Sequence, residues 1–336
     1  MKQITKYLRS TIAGPLFVLL IIIVIAALTT SRFLLPQNLI NLALEVAIVA
    51  IVAIGGTLVI LTGGIDLSPG STVALVTVCM AYLIQNMGVS LPVGIVLMLF
   101  LGLFLGFING ILSTYGKIPS FIVTLATANI FRGLAYAVTG GLTIFSVSPD
   151  LEPIFYGKLL GIPLPFYYVI VLYIAAAFFL RNTIPGRSIY AVGGNESAAR
   201  LTGISVNKTR LLAFVIAGLT AAIAGILEIA WLNSGAPSFG ADLGLDSIAA
   251  AVIGGASLAG GYGNVVASLV GALMVTIVQN VLNLNAVQAA WQDVALGVVL
   301  ALAVGLDMWK GTLGGTIQRI FGRSNIPPDS TPVPKE

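Results

Sequence analysis

Enzyme chemistry would need a nucleophile with a base, a metal site or a pair of carboxylates, and this chain offers few residues for any of them. It contains no histidine, which removes the commonest general base, proton shuttle and metal ligand together. Its one cysteine, Cys79, lies in a hydrophobic stretch, so no intrachain disulfide or redox pair can form. No Glu-x-x-His, Cys-x-x-Cys or Gly-x-Ser-x-Gly pattern occurs, and no Gly-x-x-x-x-Gly-Lys-Ser/Thr phosphate loop. The chain is expected not to be an enzyme, and to hold neither a metal nor a cofactor. If ATP drives its work, another chain must hydrolyse it.

The remaining ionisable residues are sparse and placed with a pattern. Glu45, Asp66, Glu228, Asp246, Asp293 and Asp307 lie in or beside hydrophobic blocks. Charge inside a membrane is costly, so such acids are functional candidates by default. Snorkelling to the surface is the plainer alternative. Arg132 is the one basic residue within a block. The longest polar stretch, residues 181–210, carries five basic residues (Arg181, Arg187, Arg200, Lys208 and Arg210) against the single acid Glu196. Within it the spacing predicts a helix of about two turns. Asn195 is its N-cap, Glu196 puts a negative charge in the first turn, and Ala198, Ala199 and Leu201 form a small apolar face. Arg200 sits in the last turn and Gly203 ends it in the left-handed conformation. So short a helix must be held by the rest of the chain or by a partner.

The elements that carry these residues are membrane spans. The chain has 336 residues, of which 58% are hydrophobic and 8% charged, with a mean hydropathy of +1.04. Soluble domains run near ~25% charged. A spanning helix needs about 20 apolar residues. Ten candidates follow, over 12–30, 39–62, 70–86, 92–113, 119–138, 163–181, 210–232, 245–262, 264–283 and 289–307. Stretches 39–70 and 240–264 are interrupted by glycines and are open to a re-entrant reading. With ten spans, thirteen of the sixteen Lys and Arg residues fall on the side that also holds both termini. By the positive-inside rule that side is the cytoplasm. The expected division is a membrane domain over 1–309, with the 182–209 loop inside the cell, and a proline-rich disordered tail over 310–336. On the outer side, the 140–162 loop is expected to be ordered.

The first hydrophobic block is read as a retained span rather than a signal peptide. Residues 53–75 (AIGGTLVILTGGIDLSPGSTVAL) and 251–273 (AVIGGASLAGGYGNVVASLVGAL) form a weak internal repeat. Duplicated halves with interrupted helices mark transporters. On physics alone, GGIDLSPGS (63–71) is a structural turn: Gly63 and Gly64 allow unusual backbone angles, and Asp66 or Ser68 caps the helix that follows.

Four segments carry a family resemblance: GGIDLSPGS (63–71), KIPSFIVTLATANIFRGL (117–134), YAVGGNESAARLTGISVNKTR (190–210) and LDSIAAAVIGGASLAGGYGN (245–264). They resemble the permease subunits of bacterial ABC importers of the ribose class, which includes permeases for several monosaccharides and autoinducer-2. The resemblance runs from about 40 to 307 in motif order. It implies an all-α polytopic membrane protein with the type II importer fold and two related halves, in the bacterial inner membrane. It also implies three kinds of partner besides membrane lipid. These are cytoplasmic ATPase subunits, a periplasmic or lipid-anchored sugar-binding protein, and a second permease chain, identical or paralogous. Nothing points to nucleic acid. In that scheme Gly193, Gly194, Asn195, Glu196, Ala198, Ala199, Arg200 and Gly203 form the ATPase-coupling element. Gly63, Gly64 and Asp66 are a family signature with no assigned role. Asn129, Arg132, Tyr136, Gln279 and Asn280 are candidates for the translocation path, with interhelical hydrogen bonding as their plainer role. The alternatives are a nucleoside or amino-acid permease of the same class, or an ion-coupled secondary transporter.

Overall fold

The computed structural model describes residues 2–298 together with 301, 302 and 305. The expected tail over 310–336 and the end of the 289–307 span lie outside the described residues. Twelve helices are defined in order: α1 (Lys2–Thr29), α2 (Pro36–Leu61), α3 (Pro69–Gln85), α4 (Leu91–Thr114), α5 (Ser120–Thr139), α6 (Glu152–Tyr156), α7 (Leu164–Asn182), α8 (Ile184–Gly194), α9 (Glu196–Leu201), α10 (Val206–Leu232), α11 (Leu243–Ile253) and α12 (Val265–Leu284). Residues 289–298 are also helical. Seven described helices are long and apolar enough to cross a membrane: α1, α2, α4, α5, α7, α10 and α12. The protein is an all-α polytopic membrane protein. Prolines mark several starts, with Pro36 opening α2, Pro69 opening α3, and Pro119 and Pro163 just ahead of α5 and α7.

Two expected spans are shorter than a membrane. Helix α3 has 17 residues, and α11 has only 11, a rise of about 16 Å. The stretch expected as one span over 245–262 is therefore a half-helix followed by a non-helical segment over 254–264. Five glycines in that segment, at 254, 255, 260, 261 and 263, remove the side chains that would hold a helix together. The Gly55–Gly56 pair behaves differently, and α2 runs through it unbroken. There the missing β-carbons admit neighbours: Gly55 packs against Ala217 and Thr220 of α10, and Gly56 against Ser247 of α11.

Helix α2 is the axis of the bundle. From Val46 to Leu61 every residue is buried, and α7, α10, α11 and α12 pack around it. Helix α10 also packs on α4 through glycines four residues apart. Gly102 faces Gly218 and Ala222, Gly106 faces Phe214, and Gly110 faces Leu211. One row of glycines lets two backbones meet in lipid, where no hydrophobic force drives association. Tyr173 of α7 ties the core together by donating to the Ala50 carbonyl (2.9 Å) and lying 3.4 Å from the Ser268 hydroxyl.

The two repeat copies run side by side in the same direction. Gly56 touches Ser247, and Ile60 clusters with Ile248 and Val252, so α2 and α11 are parallel. At the far end of the bundle, away from residues 181–210, the 140–163 segment is ordered as expected. Strand β1 (Ile144–Phe145) pairs with β4 (Ser234–Gly235), and β2 (Lys158–Leu159) with β3 (Ile162–Pro163). Phe155 of α6 stacks on Trp231 with centroids 5.7 Å apart.

Candidate functional site

At the near end, the 181–210 stretch is more helical than its sequence suggested. Helix α8 starts at Ile184, beside Pro185 and Gly186. Pro185 occupies the first turn, where no N–H is needed, and the Thr183 hydroxyl accepts from the Gly186 N–H at 3.1 Å. Helix α9 forms as expected. Asn195 caps it by accepting from the Ala198 N–H at 2.9 Å, and Gly203 ends it at φ +83°. Its two faces divide differently from the expected apolar patch. Ala199 is 3% exposed and packs with Val192, Val206 and Ile204 in the loop's own small core. Leu201 is 90% exposed. Ala199 is therefore packed within the loop, and Leu201 is the apolar side chain of α9 left exposed. Its position at the last residue of α9 carried that signal, since the helix turns it away from Ala199.

Charge fixes α9 to the bundle. Glu196 accepts from Arg200 at 2.7 Å and pairs with Arg210 of α10 at 2.8 Å. Hydrogen bonds from Arg200, helped by the charge of Arg210, hold the Glu196 carboxyl below the usual range for a glutamate. Arg210 also donates from Nε to the Thr62 carbonyl at 3.4 Å. A chain of polar contacts thus runs from α9 to the end of α2, where the signature turn begins.

That turn, residues 62–68, is non-helical and enclosed by α4 and α5. Its backbone N–H groups find side-chain acceptors: Ile65 donates to the Ser120 hydroxyl (3.0 Å) and Leu67 to that of Thr124 (3.1 Å). Asp66 is 4% exposed. It accepts from both the N–H (2.9 Å) and the hydroxyl (2.6 Å) of Ser68. Asn109 donates to Ser68 and accepts from Thr127, at 2.7 and 2.6 Å. Ser68 stands at the N-cap of α3 but makes no capping bond through its side chain. The expected cap is replaced by a network that holds an open backbone inside the bundle, the condition such a backbone needs at membrane depth. Gly63, Gly64 and Asp66 sit together in this turn.

The candidate path residues do not share one surface. Asn129 and Tyr136 are exposed on α5, with the Asn129 amide donating to Leu125 of its own helix. Arg132 forms no ion pair with an acid among the described residues. It donates to the carbonyls of Pro237 (2.6 Å) and Phe239 (2.7 Å), clamping the segment that leads into α11. Asn280 is 6% exposed and joined to Asn38 in a reciprocal amide pair at 3.0 Å, which links α12 to α2. Gln279 opens onto a cavity.

That cavity, at the far end, has a volume of about 340 Å³. Glu45, Glu228, Asp246 and Asp293 converge on it, joined by Asp242, which sequence reasoning missed. Trp231, Thr276, Gln279, Asn283 and Gln292 complete its polar and aromatic lining. Gln279 donates to Asp246 at 3.1 Å. Neither Lys nor Arg lines it among the described residues. Among those residues no group of acids or cysteines is arranged to hold a metal.

Membrane-length helices, two non-helical turns packed against them, a polar cavity at one end and a capped helix pair at the other are the parts of a membrane transport protein. The chain belongs to the family described as branched-chain amino acid transport system / permease component, which it matches over residues 38–304. It is 40% identical over 299 residues to the ribose import permease protein RbsC of Escherichia coli (strain K12), covering 88% of this chain and 93% of that protein. RbsC of Bacillus subtilis (strain 168) is also 40% identical over 299 residues, covering 88% and 92%. The xylose transport system permease protein XylH of Haemophilus influenzae is 35% identical over 340 aligned positions, covering 83% and 91%. No solved structure matches the chain.

Proposed function

We propose that this chain is the membrane-spanning subunit of an ATP-driven importer for a monosaccharide, a pentose, hexose or related sugar. Residues 1–309 form the permease in the inner membrane, with both termini in the cytoplasm. Hydrolysis belongs to separate ATPase subunits, which dock on the cytoplasmic α8–α9 pair. A sugar-binding protein delivers the solute on the opposite side, and a second permease chain completes the pathway. The relatives that carry ribose and xylose in their names support the sugar.

The observation that carries the choice of solute is the lining of the far-end cavity. Five carboxylates, three side-chain amides and an indole suit a neutral polyhydroxyl ring, whose hydroxyls donate to carboxylates and whose apolar face stacks on Trp231. The family description names branched-chain amino acids, the second reading. A zwitterionic amino acid would bring an ammonium that these acids suit, but also a carboxylate for which no Lys or Arg lines the cavity among the described residues. Gln279 is retained as a path residue on this ground, with Asn129 and Tyr136 as lining on the exposed face of α5.

The test is a competition assay. Proteoliposomes holding the permease, its ATPase and its binding protein take up a labelled sugar while unlabelled ribose, xylose, leucine and adenosine compete. Competition by a monosaccharide alone supports the reading. Competition by leucine or adenosine and by no sugar contradicts it.

A further inference from the structure

Three glycine pairs from distant parts of the sequence meet at one point near the end of α2. Gly63 and Gly64 follow α2, Gly193 and Gly194 end α8, and Gly260 and Gly261 lie in the non-helical segment after α11. The contacts are backbone to backbone. The Gly261 N–H donates to the Leu61 carbonyl at 2.9 Å. A β-carbon on Gly193 would collide with that same carbonyl and would lie 2.5 Å from the Gly261 nitrogen. One on Gly260 would lie 2.8 Å from the Gly63 nitrogen, and one on Gly261 would run into Gly194. Real β-carbons do not approach that closely, so each of these contacts requires glycine. Tyr190 of α8 adds a further link by donating to the Gly263 carbonyl at 3.1 Å.

We infer that this junction is the contact through which the α8–α9 pair moves both non-helical segments, 62–68 and 254–264, at once. Gly193 and Gly261 are its positioning residues. The inference rests on the coupling role proposed above for α8 and α9, and adds where their motion goes. Backbone packed on backbone has no rotamers to absorb a displacement, so a shift of α8 is passed on undiminished. Both receiving segments are non-helical, which lets them rotate as units without breaking a helix. The second contact, from Arg210 to the Thr62 carbonyl, reaches the same place from α10. The repeat copies therefore share a junction as well as a pattern. Their second Gly-Gly pairs meet each other, with the Gly-Gly of the loop inserted alongside.

The test compares Gly193→Ala with Gly14→Ala, a glycine on α1 with nothing within 4 Å of an added β-carbon. Each permease is reconstituted with its ATPase and binding protein, and sugar imported per ATP hydrolysed is measured. Wild-type import driven by ATP establishes the coupling reading itself, so its absence counts against that reading and not against the junction. Given that import, the expected result is an assembled Gly193→Ala complex that still hydrolyses ATP while its import-to-hydrolysis ratio falls at least tenfold. Gly14→Ala keeps the wild-type ratio. An assembled Gly193→Ala complex with an unchanged ratio overturns the inference. Should Gly193→Ala fail to assemble, hydrogen exchange on the wild-type complex decides. Equal protection of the 258–264 peptide in nucleotide-free and ATP-trapped states supports a junction that moves as one body. Loss of protection in either state overturns it.

Discussion

Glu196 of α9 and Arg210 of α10 form an ion pair at 2.8 Å, and the same arginine reaches the Thr62 carbonyl at the end of α2. The pair is partly exposed, so its contribution to stability is small, within about 1 kcal/mol for pairs of this kind. Its geometry matters more, because it sets where α9 stands relative to the bundle. Glu196→Lys places a third positive charge beside Arg200 and Arg210. The expected outcome is a thermal midpoint close to wild type with co-purification of the ATPase subunit lost.

The Glu196 carboxyl also defines a pH window. Its pKa in the folded chain lies below the ordinary 4.5. A depressed carboxylate contributes stability that is complete above the unfolded value and is lost as pH falls through the folded one. The difference in thermal midpoint between wild type and Glu196→Gln is expected to be constant from about pH 6 to 8. It should shrink toward zero only below about pH 4.5. A difference that changes near neutrality would contradict the assignment.

Leu201 is the exposed apolar side chain at the tip of α9. Leu201→Ala removes nothing from the core, so stability should hold within about 0.5 kcal/mol. Buried on docking, the same side chain is worth about 1.5–3 kcal/mol. Affinity for the ATPase subunit, measured by titration in detergent, should fall by roughly ten- to hundredfold.

Asn109 links Ser68 of the signature turn to Thr127 of α5. Asn109→Ala removes two hydrogen bonds to buried hydroxyls, a loss of about 0.5–1.5 kcal/mol each, since Ser68 keeps Asp66 and Thr127 keeps the Thr124 carbonyl. A lower thermal midpoint in detergent is expected, with the ATPase still associated. An unchanged midpoint would mean that the turn is held by something other than this network.

In the far-end cavity, Glu228→Gln keeps size and removes charge, while Gln279→Ala strips Asp246 of its amide donor. Both should lower kcat/KM for sugar uptake by about tenfold or more, equivalent to ~1.4 kcal/mol, without loss of the ATPase. Uptake at the wild-type rate in both variants would remove the cavity from the path.

Much of this build was legible in the sequence. Runs of about 20 apolar residues and the prolines ahead of them located the spans. The Asn195–Gly203 capping pattern located α9, because a cap is a local event read from side chains a few residues apart. Less was visible wherever a role depends on distant chain. The Gly-Gly pairs look like helix breakers, and Pro185 carries no helix signal on its own. Only packing reveals that Pro185 opens α8, that Gly55 and Gly56 lie within α2, and that 254–264 does break. Arg132 and Asn280 look like polar groups bound for a path. Their partners, Pro237, Phe239 and Asn38, lie too far along the chain for any spacing rule to find. The four scattered acids were marked individually by their cost in a membrane. Their convergence, with Asp242, required the fold.

On the proposed function, a separate ATPase drives this permease through α8 and α9. The most direct test places purified permease, ATPase and binding protein in proteoliposomes and follows labelled sugar. Accumulation should require ATP on the ATPase side and the binding protein on the other, and Glu196→Lys should abolish it. Accumulation by permease alone under a proton or sodium gradient, with no response to ATP, would contradict the claim.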